Sequence, residues 1–317
     1  MKLKRILKTV LLSSLTLCCG LSLACCNSSD TTPVETESTT VAAPSAATVV
    51  RPESNPALKK DTENKVGYQL EMPEKGDTIA IIHTTMGDIT WRFFPENAPK
   101  AVESFTTLAK EGKYDGIIFH RVIDNFMIQG GDYENQNGTG GKSAFGTPFE
   151  DEFSDTLYNI RGSVAMANSG VNTNGSQFFI NQAGPDKFSA DMIQDYDTAY
   201  KALLDDYNKA AEQDPSVKKN YPTLQDYIKT YTEYKGNHPI SLLSYLFTDE
   251  VKALYEANGG NIHLDGALRA KGGHTVFAQV IDGMDVVDAI AKVKVDANDK
   301  PVEDVKIISV EITEYKG

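Results

Sequence analysis

The chain of 317 residues has only four cysteines, Cys18, Cys19, Cys25 and Cys26, and none beyond position 26. That excludes a disulfide framework downstream, and with it any cysteine-based zinc site. It also suits a protein kept outside the cytoplasm, where stray thiols oxidise. Histidine is scarce as well: His83, His120, His238, His263 and His274 show no ligand spacing, so no metal centre is expected. Positive charge is in deficit, at a formal net charge of -13. A nucleic-acid surface needs a basic face, so that partner is excluded. The loop Asn137-Gly-Thr-Gly-Gly-Lys-Ser143 imitates a phosphate loop but has Gln136 where the pattern needs glycine, with no strand-to-helix context. Asp296-Ala-Asn-Asp299 lacks the glycine and terminal glutamate of a calcium loop and reads as a polar turn. No nucleophile–base pair stands out, and no cofactor is expected.

A membrane-spanning hydrophobic run is missing too. The uncharged stretch from Thr9 to Ala24 is shorter than the roughly 20 apolar residues a bilayer requires, and Ser13, Ser14, Thr16, Gly20 and Ser22 dilute it. Preceded by Lys2, Lys4, Arg5 and Lys8, it has the layout of an export signal. It ends in Leu21-Ser-Leu-Ala-Cys-Cys26, which resembles a bacterial lipobox. The resemblance implies acylation of Cys25, with Cys26 as the alternative, and a lipid anchor holding the protein on the extracytoplasmic face of a membrane. Residues 1–24 are then signal peptide, and their removal takes away four positive charges, moving the chain from -13 to -17. Residues 25–65, rich in Ser, Thr, Pro and Glu and without periodicity, read as a disordered tether, because they cannot bury enough apolar surface to fold. Residues 66–317 are the expected folded domain.

That domain opens with strand patterns. Ile79-Ala-Ile-Ile-His83 and Ile89-Thr-Trp-Arg-Phe-Phe94 flank Met86-Gly87-Asp88, which predicts a hairpin. Pro99 opens a helix with Val102, Phe105 and Leu108 on one face and Gly112 as its stop. Further strands are expected at 162–167, 177–181, 274–281 and 305–312, and a second helix at 285–292 with Val286, Val287 and Ile290 on one side. Many short strands with two core helices predict an antiparallel barrel. Residues 187–262 break the pattern. Met192, Tyr196, Tyr200, Leu203, Tyr207 and Ala211 recur at helical spacing, Thr223 with Asp226 and Thr248 mark helix starts, and Asn258-Gly259 marks a stop. The segment reads as a helical insertion holding nine of the chain's 14 tyrosines. It serves either as a cover that selects protein substrates or as helices packed on the barrel.

The stretch Phe119-His-Arg-Val-Ile-Asp-Asn-Phe-Met-Ile-Gln-Gly-Gly-Asp132 mixes large apolar residues with His120, Arg121 and Gln129. Buried unpaired polar groups are costly, so the mixture predicts the wall of a binding pocket rather than a core strand. This stretch resembles the signature segment of the cyclophilin-type peptidyl-prolyl isomerases. A second segment, Met166-Ala-Asn-Ser-Gly-Val-Asn-Thr-Asn-Gly-Ser-Gln-Phe-Phe-Ile180, is similar to the same family. The resemblance covers about residues 75–186 and 262–315. It implies an all-β fold, an eight-stranded antiparallel closed barrel with a helix capping each end, and rotation of X-Pro bonds in proline-containing polypeptides without a cofactor. Arg121 is implied as the catalytic residue, with His120, Phe126, Met127, Gln129, Ala167, Asn168, Gln177, Phe179, Leu264 and His274 binding substrate. Within that set Phe126, Met127 and Phe179 match the prolyl pocket, and Gln129, Asn168 and Gln177 match groups that grip the substrate backbone and orient the arginine. The chain departs from the family where His263 replaces a frequent tryptophan and Ala267 to Gly273 lengthens the approach to His274. Binding of cyclosporin, the family's inhibitor, is therefore expected to be weakened. The other reading is a non-catalytic proline-peptide-binding or chaperone module, which would have no need of Arg121; a structural surface protein would not retain so full a pocket.

Overall fold

The alternation in the first two strands puts Ala80, Ile82, Ile89, Trp91 and Phe93 on one face, and all five are buried. That face starts the core of the computed structural model, which describes residues 55–188, 196–224, 226–227, 246–269 and 271–317. The strands are β1 (Leu58–Lys59), β2 (Thr78–Thr84), β3 (Gly87–Phe93), β4 (Arg121–Ile123), β5 (Met127–Gly130), β6 (Phe153–Ser154), β7 (Ser163–Met166), β8 (Phe178–Asn181), β9 (Val276–Asp282) and β10 (Ile307–Glu314). Eight of them form one antiparallel sheet in the order β10-β2-β3-β9-β7-β8-β5-β4, while β1 pairs in parallel with β6. The expected hairpin is β2–β3, turning between Thr84 and Gly87.

The sheet is open, which corrects the expectation of a closed barrel: no ladder joins β4 to β10. Single hydrogen bonds bridge that gap instead, from Gly116 N to Ile307 O (2.7 Å), Ile307 N to Ile117 O (2.8 Å) and Phe119 N to Val305 O (3.0 Å). β4 has only three residues and meets that side through one further bond, from Val122 N to Asp299 O (2.8 Å), while Pro301 beyond it bridges back to Val295 instead.

Helix α1 (Pro99–Lys110) begins on proline at its first turn, where a missing N–H costs nothing, and buries Val102, Phe105 and Leu108. Phe105 packs edge-on against Trp91 and Phe178, with ring centres 5.2 and 5.7 Å apart. Helices α2 (Tyr196–Gln213) and α3 (Ser216–Asn220) come next in the chain. Helix α4 (Asp249–Asn258) starts at Thr248, whose hydroxyl accepts from Val251 N, and ends at Gly259, as the sequence predicts. Helix α5 (Met284–Ala291) buries Val287 and Ile290 in the same core as α1.

The end of the expected insertion builds a second core, separate from that one. Val251, Leu254 and Tyr255 of α4 make an apolar cluster with Tyr158, Ile160, Ile262 and Leu268. The tether also ends earlier than expected, because residues 55–65 are ordered. β1 pairs there, the Asn55 amide donates to Gly266 O and Gly272 O, and Asp61 accepts from Asn64, Asn97 and Thr156. Residues 1–54, including Cys25 and Cys26, lie outside the described residues.

The chain divides into two compact units, and described residues 201–224 and 226–227 belong to the smaller. Within it Tyr207 donates to Tyr221 O (2.8 Å), and Thr223 and Asp226 hydrogen-bond to each other as a helix start. Met192 lies outside the described residues, as do the side chains of Tyr196, Tyr200 and Leu203. Among the described residues no helix is long and apolar enough to cross a membrane.

Candidate active site

The site is built where β4, β5, β7 and β8 lie side by side. Arg121 opens β4 and pairs with Gln129 of β5, which pairs in turn with Phe179 of β8. Period-2 alternation therefore puts the guanidinium, the amide and the ring on one surface. Gly131 lets the chain turn off the end of β5. Its φ is +89°, and a Cβ there would sit 2.5 Å from Ser176 O, so the double glycine closing the signature stretch is a backbone requirement.

An apolar cluster, the candidate slot for a proline ring, lies beside Arg121. Met127 and Phe179 are buried in one cluster with Tyr68, Phe94, Leu157, Ala165 and Val276, and Phe126, Ala167 and Leu264 pack against it half-buried. Arg121 lies over the Phe126 ring, 5.8 Å from its centre, and its Nε is 3.8 Å from Asp299 Oδ2. Two histidines border this cluster. His263 stacks on Phe126 with ring centres 5.6 Å apart and 16° between planes, and His274 stands edge-on to Phe179 at 5.2 Å. His274 Nδ1 lies 2.9 Å from Met166 O, which can only accept, so that nitrogen carries the proton. Burial pushes the pKa of both rings down, helped at His263 by Arg269 and His274.

A groove of about 480 Å³ adjoins the slot, lined by Gln129, Ala167, Asn168 and Gln177 together with the loop 138–143. Gln177 Oε1 accepts from Gln129 Nε2 (3.0 Å), while Gln177 Nε2 donates to Gly138 O and Gly140 O (3.0 and 2.7 Å). Asn168 Nδ2 donates to Gly273 O (2.9 Å), tying the second motif to the segment that precedes β9. The loop that imitates a phosphate cradle is already occupied by its own carboxylate. Asp132 accepts the backbone N–H groups of Asn135, Asn137, Gly138 and Gly140. Burial alone would raise the Asp132 pKa, but these donors outweigh it and hold the carboxyl below its ordinary range. The amides a phosphate would need are taken.

Ten of the eleven predicted catalytic and substrate-binding residues thus gather in or beside one slot and groove. His120 stands apart, buried at 6% exposure, with its Nε2 3.2 Å from where a side chain on Gly138 would start. It sits behind the loop, and burial lowers its pKa. No cluster able to hold a metal ion occurs among the described residues.

The family model described as cyclophilin type peptidyl-prolyl cis-trans isomerase/CLD matches residues 79–200 and 252–312. The chain belongs to this family. It is 37% identical over 251 residues to a Staphylococcus saprophyticus protein named as a peptidyl-prolyl cis-trans isomerase, a match covering 78% of this chain and 98% of that one. A similarly named Staphylococcus aureus protein is 39% identical over 241 residues, covering 76% of this chain and 94% of its own length. A Streptococcus pyogenes protein named as a bifunctional phosphatase/peptidyl-prolyl cis-trans isomerase is 40% identical over 246 residues, which are 77% of this chain but only 40% of that protein. Among solved structures, a cyclophilin type isomerase of Cryptosporidium parvum is similar at 23% identity and a TM-score of 0.47, covering 74% of this chain and 97% of that one.

For this cyclophilin-type chain, the sequence reading missed the floor of the slot. Tyr68, Leu157 and Val276 come from three distant segments, and each looks like ordinary core. It also missed Asp132, although an acidic residue ahead of a glycine-rich loop is a usable signal for a self-filled nest.

Proposed function

We propose that this chain accelerates cis–trans rotation of X-Pro bonds in exported polypeptides, by stabilising the twisted amide from Arg121. The observation that carries the reading is the half-exposed guanidinium at the lip of the Phe126, Met127, Phe179 and Leu264 slot. Planar X-Pro bonds resist rotation by about 20 kcal/mol because amide resonance must be lost. In the twisted state the prolyl nitrogen becomes pyramidal and accepts a hydrogen bond, which the planar states cannot. A donor fixed beside a proline slot binds that state selectively, and this selectivity is all the catalysis requires. The slot holds the ring, the guanidinium donates, and Gln129 presents its amide to the flanking peptide backbone, while Asn168, whose amide nitrogen is committed to Gly273 O and Asn174 Oδ1, holds the neighbouring segment. Gln177 acts by holding Gln129, since its own amide is committed to the loop.

Export and lipid anchoring at Cys25 are the remaining parts of the proposal. They rest on the charged start, the short apolar run and the Ala24-Cys25 junction, together with a cysteine-free chain after position 26. An isomerisation assay on a proline tetrapeptide tests the activity. Turnover that vanishes in Arg121→Ala supports the reading, and peptide binding without turnover would replace it with that of a binding module.

A further inference from the structure

Behind the slot runs a line of three buried asparagines that nothing in the proposed chemistry uses. Asn159 and Asn181 are fully buried and Asn261 is 5% exposed. Asn261 Nδ2 donates to Phe126 O (2.9 Å) and to Asn181 Oδ1 (2.7 Å). Asn181 Nδ2 donates to Asn159 Oδ1 (3.1 Å) and Ser163 Oγ (2.7 Å), and Asn159 Nδ2 donates to His274 O (3.3 Å). Phe126 O can only accept, so the orientation of the Asn261 amide is fixed by its neighbours. The two ends of this line are the main-chain oxygens of Phe126, whose ring carries the His263 stack, and of His274, whose ring stands against Phe179.

The line is anchored to α4. Gly259 and Gly260 follow that helix with φ of +73° and +120°, and a Cβ on Gly260 would meet Asn159 O at 2.4 Å. The chain is thereby pressed against Asn159, and Asn261 N donates to Asn159 O at 2.8 Å. Tyr255 of α4 donates to Asp265 Oδ2, which also accepts from Asn159 N. Buried amides are retained where they find partners, and the nitrogen of each of these three does.

We propose that Asn261 is a positioning residue that sets the width of the prolyl slot, by tying the Phe126 main chain through Asn181 and Asn159 to that of His274. Resting on the isomerase reading above, the inference adds that the last helix of the insertion is built into the site. Phe126 O also accepts from Gln182 N (2.9 Å) and Ala183 N (3.3 Å), so removing Asn261 loosens the Phe126 main chain on its His274 side without freeing it, and bound proline loses contact before the donor does. The effect falls on KM more than on kcat.

The test uses the full domain at about 10 °C, far below unfolding, with exchange NMR on an Ala-Pro tetrapeptide. Asn261→Ala should lower kcat/KM about fivefold, the worth of one net hydrogen bond, mainly through KM, with unchanged near-UV circular dichroism. A folded variant within twofold of wild type overturns the proposal. Asn261→Asp is isosteric, and Asn261 has an ordinary φ of -119°, so it tests the donor itself should the alanine variant not fold. Relative to wild type, its activity should rise as pH falls from 7 to 5, as the protonated carboxyl regains a donor. No such recovery overturns the proposal too. Inactive wild type would refute the isomerase reading alone, because the tetrapeptide affinity of the same variants, read by chemical shift, still decides the role of Asn261.

Discussion

Replacing Arg121 by alanine separates catalysis from stability, because the structure assigns the two effects different magnitudes. The guanidinium makes one long ion pair, 3.8 Å to Asp299, and both side chains are more than two-fifths exposed. Such pairs contribute about 0–1 kcal/mol in water. Its position over Phe126, at 5.8 Å, adds about 0.5–1 kcal/mol at so exposed a site. The fold should therefore lose no more than about 1–2 kcal/mol, a fall in Tm of a few degrees for a domain of this size. The activated complex loses much more, since a donor aimed at developing charge is worth about 3–4 kcal/mol, or roughly 10² to 10³ in rate. Arg121→Lys should recover little, because a point charge on a flexible stem does not reproduce a planar fork held against Phe126. The assay is kcat/KM for an Ala-Pro tetrapeptide by exchange NMR, beside a thermal melt. A loss below threefold with an unchanged melt would refute the transition-state role. A melt lowered by more than about 10 °C would show that Arg121 is structural and the geometric reading wrong.

Further outcomes follow from other parts of the molecule. His274 and His263 have pKa values lowered by burial, so their neutral forms stabilise the fold fully above the ordinary histidine pKa, and that stability is lost as pH falls below it. Asp265, pushed up to about 6 by burial, acts in the opposite sense, its destabilisation appearing as pH rises from the ordinary 3.8 through 6. Melts at pH 7 and 5 should show a net loss on acidification, smaller in His274→Gln and larger in Asp265→Asn; the reverse order would contradict these assignments. Cys25→Ala combined with Cys26→Ala should release the protein from membranes, and a double variant that stays membrane-bound removes the lipid anchor from the proposal. His263→Trp should tighten cyclosporin, and wild type that already binds it tightly refutes the weakening assigned to histidine. Replacing residues 189–245 by a Gly-Ser link, sparing α4 and Asn261, should leave tetrapeptide turnover within about threefold while slowing refolding of a proline-limited protein; equal survival of both activities means the segment does not select substrates.

What the sequence made legible was local or motif-borne. The β2–β3 hairpin is written in a period-2 alternation around Met86-Gly87-Asp88, α1 in its proline start and α4 in Thr248 and Gly259. The slot was legible through two motifs, because substrate-touching side chains need particular residue types at particular register positions. Three features were not legible, each because its meaning depends on distant partners. Asp61 and its neighbours read as tether, yet that carboxylate is used by Asn97 and Thr156, 36 and 95 positions away. The open edge depends on whether the chain before β10 can pair with a three-residue strand, which no single segment states. Asn159, Asn181 and Asn261 show no periodicity, because an amide satisfied across the core is indistinguishable by composition from one in a loop.

On the proposed mechanism, the exposure of Arg121 is itself part of how the site would work. A fully buried, unpaired guanidinium would cost several kcal/mol, so the free protein must leave its catalytic donor wet or pair it fully, and a full pair would occupy the donor. The structure takes an intermediate course: a long contact to an exposed Asp299, and a phenylalanine face that shields one side only. At 42% exposure the Arg121 side chain leaves its remaining N–H groups open to solvent. On the proposed mechanism, covering the slot would lower the local dielectric and strengthen the bond to the pyramidal nitrogen as that nitrogen forms. The histidines work the other way. His274 is held neutral behind the slot by burial, with its one proton committed to Met166, so the apolar face presented to proline stays uncharged at neutral pH. A cation at the lip and a neutral wall behind it favour a substrate that is apolar in its ring and polar only at its twisted amide, which is the chemistry of a prolyl bond in mid-rotation.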